Sequence, residues 1–170
     1  MDYARFNSDG WELVIFGFPC SLTSLRVKAV VMGKYDFVKQ SDKIRILPIS
    51  EDEIESAEKR MQFSFPKELR CFYSEIGYGF ISGSKSFTNR IKPPVDVADY
   101  VCFDDFYEYV DRSIYSDDDI PFFDLSAEDF LMIRKDGKIV YFDDIIADSF
   151  TEFIEKELEN PDYFINKAEE

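Results

Sequence analysis

The sequence predicts an α+β domain: a mostly antiparallel β-sheet with helices packed on one side. Three observations carry that reading. Two apolar stripes at helical spacing follow one another within residues 49–80. An Asp-Gly turn separates two apolar runs within residues 130–142. A further capped amphipathic helix begins at Ser149. At 170 residues the chain makes a single domain, 1–170, long enough to bury a substantial core.

Residues 11–18, starting at Trp11, read as a buried strand ended by Gly17, Pro19 and Cys20. Residues 25–32 form a second β-branched run stopped by Gly33, although residues 22–32 also admit a helix, since short apolar runs are ambiguous. Residues 43–47 alternate weakly as a third strand.

The clearest helical signal comes next. Ser50 is an N-cap with Glu53 three residues on, the pattern of a reciprocal capping box. Ile49, Ile54, Ala57 and Met61 give the buried stripe, and Glu51, Glu55, Glu58, Lys59 and Arg60 the wet face. Phe63 and Phe65 form a hydrophobic joint. Pro66 suits the first position of a second helix, where its missing N–H is no loss. Leu69, Phe72, Tyr73 and Ile76 lie at i, i+3, i+4, i+7, and Gly77 closes the helix in the left-handed conformation. Residues 78–81 then read as a strand.

After a polar loop at residues 82–86, residues 89–92 make a short strand, and Pro93-Pro94 force an extended segment. Residues 95–100 and 103–110 each read as a short helix, residues 116–119 as a charged loop, and residues 120–125 as a strand. The hairpin is the strongest β signal: residues 130–134, a Lys135-Asp136-Gly137-Lys138 turn, then residues 139–142. In the last helix Ser149 caps with Glu152, and Phe150, Phe153, Ile154 and Leu158 face inward, with Asn160-Pro161 ending it.

Composition narrows the chemistry. With no histidine, Ser-His and Cys-His catalysis and the usual zinc sites are excluded. The longest apolar stretch, residues 13–20, is broken by Gly17 and Pro19 and is too short to span a bilayer. The N-terminus lacks the basic-then-apolar order of a signal peptide. Three cysteines without C-x-x-C spacing read most economically as a reduced, cytoplasmic protein. Cys71, beside a helical core stripe, reads as a buried thiol rather than a nucleophile. Gly77, Gly79 and Gly83 follow a helix instead of joining a strand to one, so they are no nucleotide fingerprint. Asp143, Asp144 and Asp148 read as helix-capping acids in preference to a general acid/base pair. No cofactor is expected.

The net charge of −15 is unevenly spread. Residues 1–95 carry 12 acids and 14 bases, and residues 96–170 carry 23 acids and 6 bases. Within residues 96–129 twelve acids face one base, Arg112, and are interleaved with aromatic residues. Such a field repels nucleic acid and anionic membrane and attracts a basic partner. Solubility alone accounts for many acidic surfaces, and both readings stay open at this point. Aromatic anchors among polar groups favour an interface. The candidate contacts are Asp99, Tyr100, Asp104, Asp105, Tyr107, Glu108, Asp111, Asp117, Asp118 and Asp119. The same acids lack the alternating oxygens and central glycine of an EF-hand, so no metal is assigned.

Three passages resemble the SUKH superfamily, in its Smi/Knr-like branch. They are EDEIESAEKRMQFSFPKELRCFYSEIGYGF, NRIKPPVDV, and IPFFD followed by FLMIRKDGKIVYFDD and IADSFTEFIEKEL. Glu58, Pro66, Leu69, Phe72, Tyr73, Ile76 and Phe153 match recurrent positions of that pattern. The similarity covers about residues 49–160, and residues 1–48 depart from it, since such proteins often open with a helix. The resemblance implies a non-enzymatic, cytoplasmic binding protein. Bacterial members are mostly immunity proteins that bind a cognate polymorphic toxin, often a nuclease. A basic toxin cleft would suit the acidic stretch. The alternative is a regulatory or scaffold module of the same fold without a toxin partner, and a small carboxylate-based hydrolase is a more distant third. Neither the toxin's identity nor the oligomeric state is specified by the sequence.

Overall fold

The computed structural model describes residues 33–102, 116, 119–127 and 129–165. The strands expected at residues 11–18 and 25–32, and the helix expected at residues 103–110, lie outside the described residues. Within them the order is α1 (Asp36–Lys39), β1 (Ile44–Leu47), α2 (Glu51–Met61), α3 (Lys67–Glu75), β2 (Tyr78–Ile81), β3 (Arg90–Ile91), α4 (Pro94–Val101), β4 (Asp119–Asp124), β5 (Phe130–Arg134), β6 (Ile139–Tyr141), β7 (Asp144–Ala147) and α5 (Phe150–Glu159). The architecture is α+β.

The capping box at the start of α2 is formed: Ser50 Oγ accepts from the Glu53 N–H at 3.3 Å, and the Glu53 carboxylate takes the Ser50 N–H at 2.9 Å. Ile54, Ala57 and Met61 are buried as the stripe requires. Glu58 ties α2 to the joint that follows by accepting the Phe65 N–H at 2.9 Å. α3 begins one residue later than expected. Pro66 stays extended, at φ −49° and ψ 137°, and is the N-cap, its carbonyl accepting from Arg70 N–H at 3.0 Å. Gly77 does adopt positive φ, +106°, while its N–H reaches Phe72 O. A Cβ there would stand 2.2 Å from Leu47 O, so both conformation and space demand glycine.

The seven strands lie side by side in sequence order, every neighbouring pair antiparallel. The Asp-Gly hairpin joins β5 to β6, with Gly137 at φ +92°. A register shift between Pro121 and Phe123 bulges β4. The bulge lets Phe122 and Phe123 both join the main core. There Phe122 meets Phe150 and Phe153 edge-to-face at 5.6 and 5.2 Å, and Phe72 meets Tyr35 and Phe150 at 5.1 Å each. Rings of this size supply most of the apolar burial in the core, with edge-to-face geometry adding to it.

Strand alternation divides β5 between two faces. Leu131 and Ile133 belong to the main core with α5, whereas Phe130 and Met132, with Val140 of β6, form a second cluster closed by Tyr100 of α4.

Three elements differ from expectation. α1 is a single turn, too short for an apolar stripe, and Asp36 holds it by accepting the Gly33 N–H at 2.8 Å. β7 replaces the expected helix-capping acids: Phe142 turns the chain at φ 50° and Asp144 enters the strand. The cap of α5 is Ser149 Oγ, which accepts from Glu152 N–H at 3.1 Å, and Asp148 contributes only its backbone N–H to the Glu152 carboxylate. Asp119, expected in a loop, opens β4.

Candidate partner-binding surface

The acidic stretch leaves the described structure at the end of α4 and returns at β4. Two buried ring systems fix these ends. Tyr100, 1% exposed, lies with its ring 5.6 Å from that of Phe130 and nearly perpendicular to it. Phe122 and Phe123 anchor β4 in the main core. The segment between them, residues 103–118, carries six acids and one base.

Of the ten candidate contacts, Asp104, Asp105, Tyr107, Glu108, Asp111, Asp117 and Asp118 lie outside the described residues. The other three are placed, and two of them face inward. Tyr100 is core, because its position in α4 puts it over Phe130, Met132 and Val140. Asp119 is 8% exposed, accepts the Ser116 N–H at 2.8 Å and pairs with Arg134 Nε at 3.3 Å. Neither offers a free group to a partner. Asp99 is partly exposed and is held 2.7 Å from Arg60 of α2.

The acids that flank residues 103–118 are likewise neutralised within the fold. Asp96 pairs with Arg90. Asp124 meets Lys92 at 2.5 Å and Arg90 at 3.6 Å. Burial pushes the Asp124 carboxyl above its ordinary range, opposed by the Lys92 charge. Lys92 is 1% exposed, with its ammonium 4.5 Å from the centre of the Phe130 ring. Asp129 accepts the Tyr141 hydroxyl at 3.0 Å, and burial raises its carboxyl too. These pairs lock α4 and β4 to the sheet and cancel much of their outward field.

The structure exposes residues that the sequence reading passed over. Phe142 and Ile145 are 51% and 44% exposed, on either side of the exposed Asp143 and Asp144. Ile145 stands opposite Val140 in the ladder, hence on the face that α4 covers. The signal was present, since Phe142-Asp143-Asp144-Ile145 repeats the acid-beside-aromatic pattern of residues 103–111. Its assignment to a helix cap concealed it. An open cleft of about 340 Å³ lies elsewhere, between β1, β2 and the loop after β2, lined by Arg45, Phe80, Ser82, Phe87 and Thr88 among others. Its one carboxylate is Asp42. Among the described residues no helix is long and apolar enough to cross a membrane.

Comparison with known proteins places this arrangement among relatives. Residues 48–156 match the profile of the SMI1 / KNR4 family (SUKH-1). The chain is 38% identical over 140 residues to the immunity protein YxxD of Bacillus subtilis (strain 168), a match covering 78% of this chain and 95% of that protein.

Proposed function

The chain belongs to the SMI1 / KNR4 family (SUKH-1), and from that premise we propose that it is a cytoplasmic immunity protein that neutralises a cognate toxin by direct, non-catalytic binding. The observation that carries the reading is the match, over 78% of this chain, to nearly the whole of a relative named as an immunity protein. The partner is a basic protein domain, and a nuclease suits it, since a cleft built to hold phosphates is cationic.

The distribution of charge supports an acidic contact face. Asp96, Asp99, Asp119 and Asp124 spend their charge on Arg90, Arg60, Arg134 and Lys92. We therefore assign the contact face to the acids of residues 103–118, extended by the exposed Asp143 and Asp144 beside Phe142 and Ile145. Exposed apolar groups within an acidic rim give short-range packing, and the charge speeds encounter.

The experiment is charge reversal at Asp104, Asp105, Asp117 and Asp118 to Lys, assayed against a toxin domain encoded beside this gene. Association slows by roughly tenfold or more at low salt, while circular dichroism and melting are unchanged. A reversed, fully folded protein that binds with unaltered affinity would refute the acidic face. Failure of the parent protein to bind or protect against the neighbouring toxin would refute the immunity reading itself.

A further inference from the structure

At the end of α5 a carboxyl group is buried without a cation. Glu157 is 0% exposed and, among the described residues, forms no ion pair. Its partner is Asn89, also 0% exposed, which enters β3 with φ +46°. Asn89 Nδ2 donates one hydrogen to Glu157 Oε1 and the other, at 3.0 Å, to Asp162 Oδ1. Two carboxylates on one NH₂ group fix the orientation of the amide, because the flipped form would set a carbonyl oxygen against both. Asp162 in turn accepts from Ser84 Oγ at 2.7 Å and from the Lys85 N–H at 3.3 Å. One amide thus joins α5, the turn after it, the strand β3 and the loop before β3.

This arrangement leaves two buried oxygens without hydrogen bonds, Asn89 Oδ1 and Glu157 Oε2. Both are acceptors if Glu157 is ionised, and two orphaned acceptors in one buried site are costly. A single proton resolves the mismatch. Placed on Oε2, it makes that oxygen a donor, and the amide carbonyl is the acceptor that an adjacent planar carboxylic acid needs.

We propose that Glu157 is protonated in the folded protein and forms a cyclic acid–amide pair with Asn89, a latch whose proton closes the loop of residues 82–88 and the turn at Asp162 onto α5. The inference is independent of the partner reading. The proton comes from solvent and returns to it, so no co-reactant is involved.

The surroundings favour the neutral acid. Burial pushes the Glu157 carboxyl up to about 8, and the Asp162 charge adds to this, opposed in part by the Asp162 backbone amide. Tyr163, on the same turn, has its hydroxyl on Ile146 O and is itself pushed upward by burial and by the Glu157 charge. Lys43, just before β1, spends its ammonium on the carbonyls of Leu158 and Glu159, at 2.6 and 3.1 Å, and Lys156 in the last turn of α5 pairs with Glu152 at 2.5 Å. The linkage follows from the raised folded value. Below the ordinary value of 4.5 the acid is protonated whether folded or not, and the latch contributes fully. As pH rises to about 8 the unfolded chain releases its proton first, and that contribution is lost.

The test is a ¹³C carboxyl titration of the full chain. The Glu157 resonance is assigned through its own backbone and confirmed by its loss in Glu157→Gln. The expected midpoint is near 8, and one near 4.5 would overturn the pair. Backbone amide exchange across residues 84–88, corrected for the intrinsic rate, rises through the same midpoint, whereas exchange flat through it would overturn the latch. Glu157→Gln keeps both hydrogen bonds as an amide–amide pair and cannot titrate. Its melting temperature therefore gains on the parent between pH 5 and 9, and parallel profiles would count against the proposal.

Discussion

Tyr100 separates a structural role from a binding role more cleanly than any other candidate contact. Its ring is 1% exposed and closes the cluster of Phe130, Met132 and Val140. Tyr100→Ala removes the ring from a site bounded by strands on one side and α4 on the other, elements whose backbones are held by ladder and helix bonds. Little collapse is available, so the cost falls at the aromatic end of the large-to-small range, about 3–5 kcal/mol. For a domain of this size that lowers the melting temperature by roughly 10 °C. Tyr100→Phe keeps the ring and its packing and changes stability by less than about 1 kcal/mol. Urea unfolding of the three proteins measures both differences directly. A loss below about 1 kcal/mol for Tyr100→Ala, coupled with weakened toxin binding at full folding, would show that the side chain faces the partner and that its burial in the fold is misplaced.

Two further outcomes follow from local geometry. Gly79→Ala sets a Cβ 2.0 Å from Arg45 O across the β1–β2 ladder, so two main chains must part; a loss of about 3 kcal/mol is expected by urea unfolding, and a neutral variant would mean the strands are not so paired. Cys71, half-buried rather than fully buried as expected, has its thiol pushed up to about 11 by burial and by the Glu75 carboxylate that accepts its hydrogen at 3.1 Å, and is alkylated far more slowly at pH 8 than the exposed Cys102, as peptide mapping by mass spectrometry will read; equal rates would contradict the shielded thiol.

What could be read in the sequence was whatever is decided within a few residues. The box of Ser50 and Glu53, the stripe Leu69-Phe72-Tyr73-Ile76 and the turn at Gly137 are local matches of side chain to backbone, and each stands where expected. β7 was missed for the complementary reason. Asp143 and Asp144 have strong local preferences for a cap, but Ile145 to Ala147 gain more by extending the sheet, a partner that no short window contains. The candidate surface was legible only as charge. Composition reveals an excess of acids but not which are spent on Arg60, Arg90, Lys92 and Arg134, because those pairs form between different elements of the fold. Tyr100 and Asp119 were grouped with outward residues for that reason. Asn89 and Glu157, 68 positions apart, gave no sign at all.

The order of the sheet bears on when the protein becomes useful. Each strand pairs with the one made just before it, from β1 to β7. Each pairing can therefore form as soon as its second strand is made, no pairing skips a strand, and such low-order topology favours rapid folding. Among the described residues the helices reach back: α4 to α2 through Asp99 and Arg60, and α5, made last, to α3, its Thr151 meeting the Glu68 carboxylate. On the immunity reading proposed above, time spent unfolded is time unprotected. A meander completed by one terminal helix keeps that interval short.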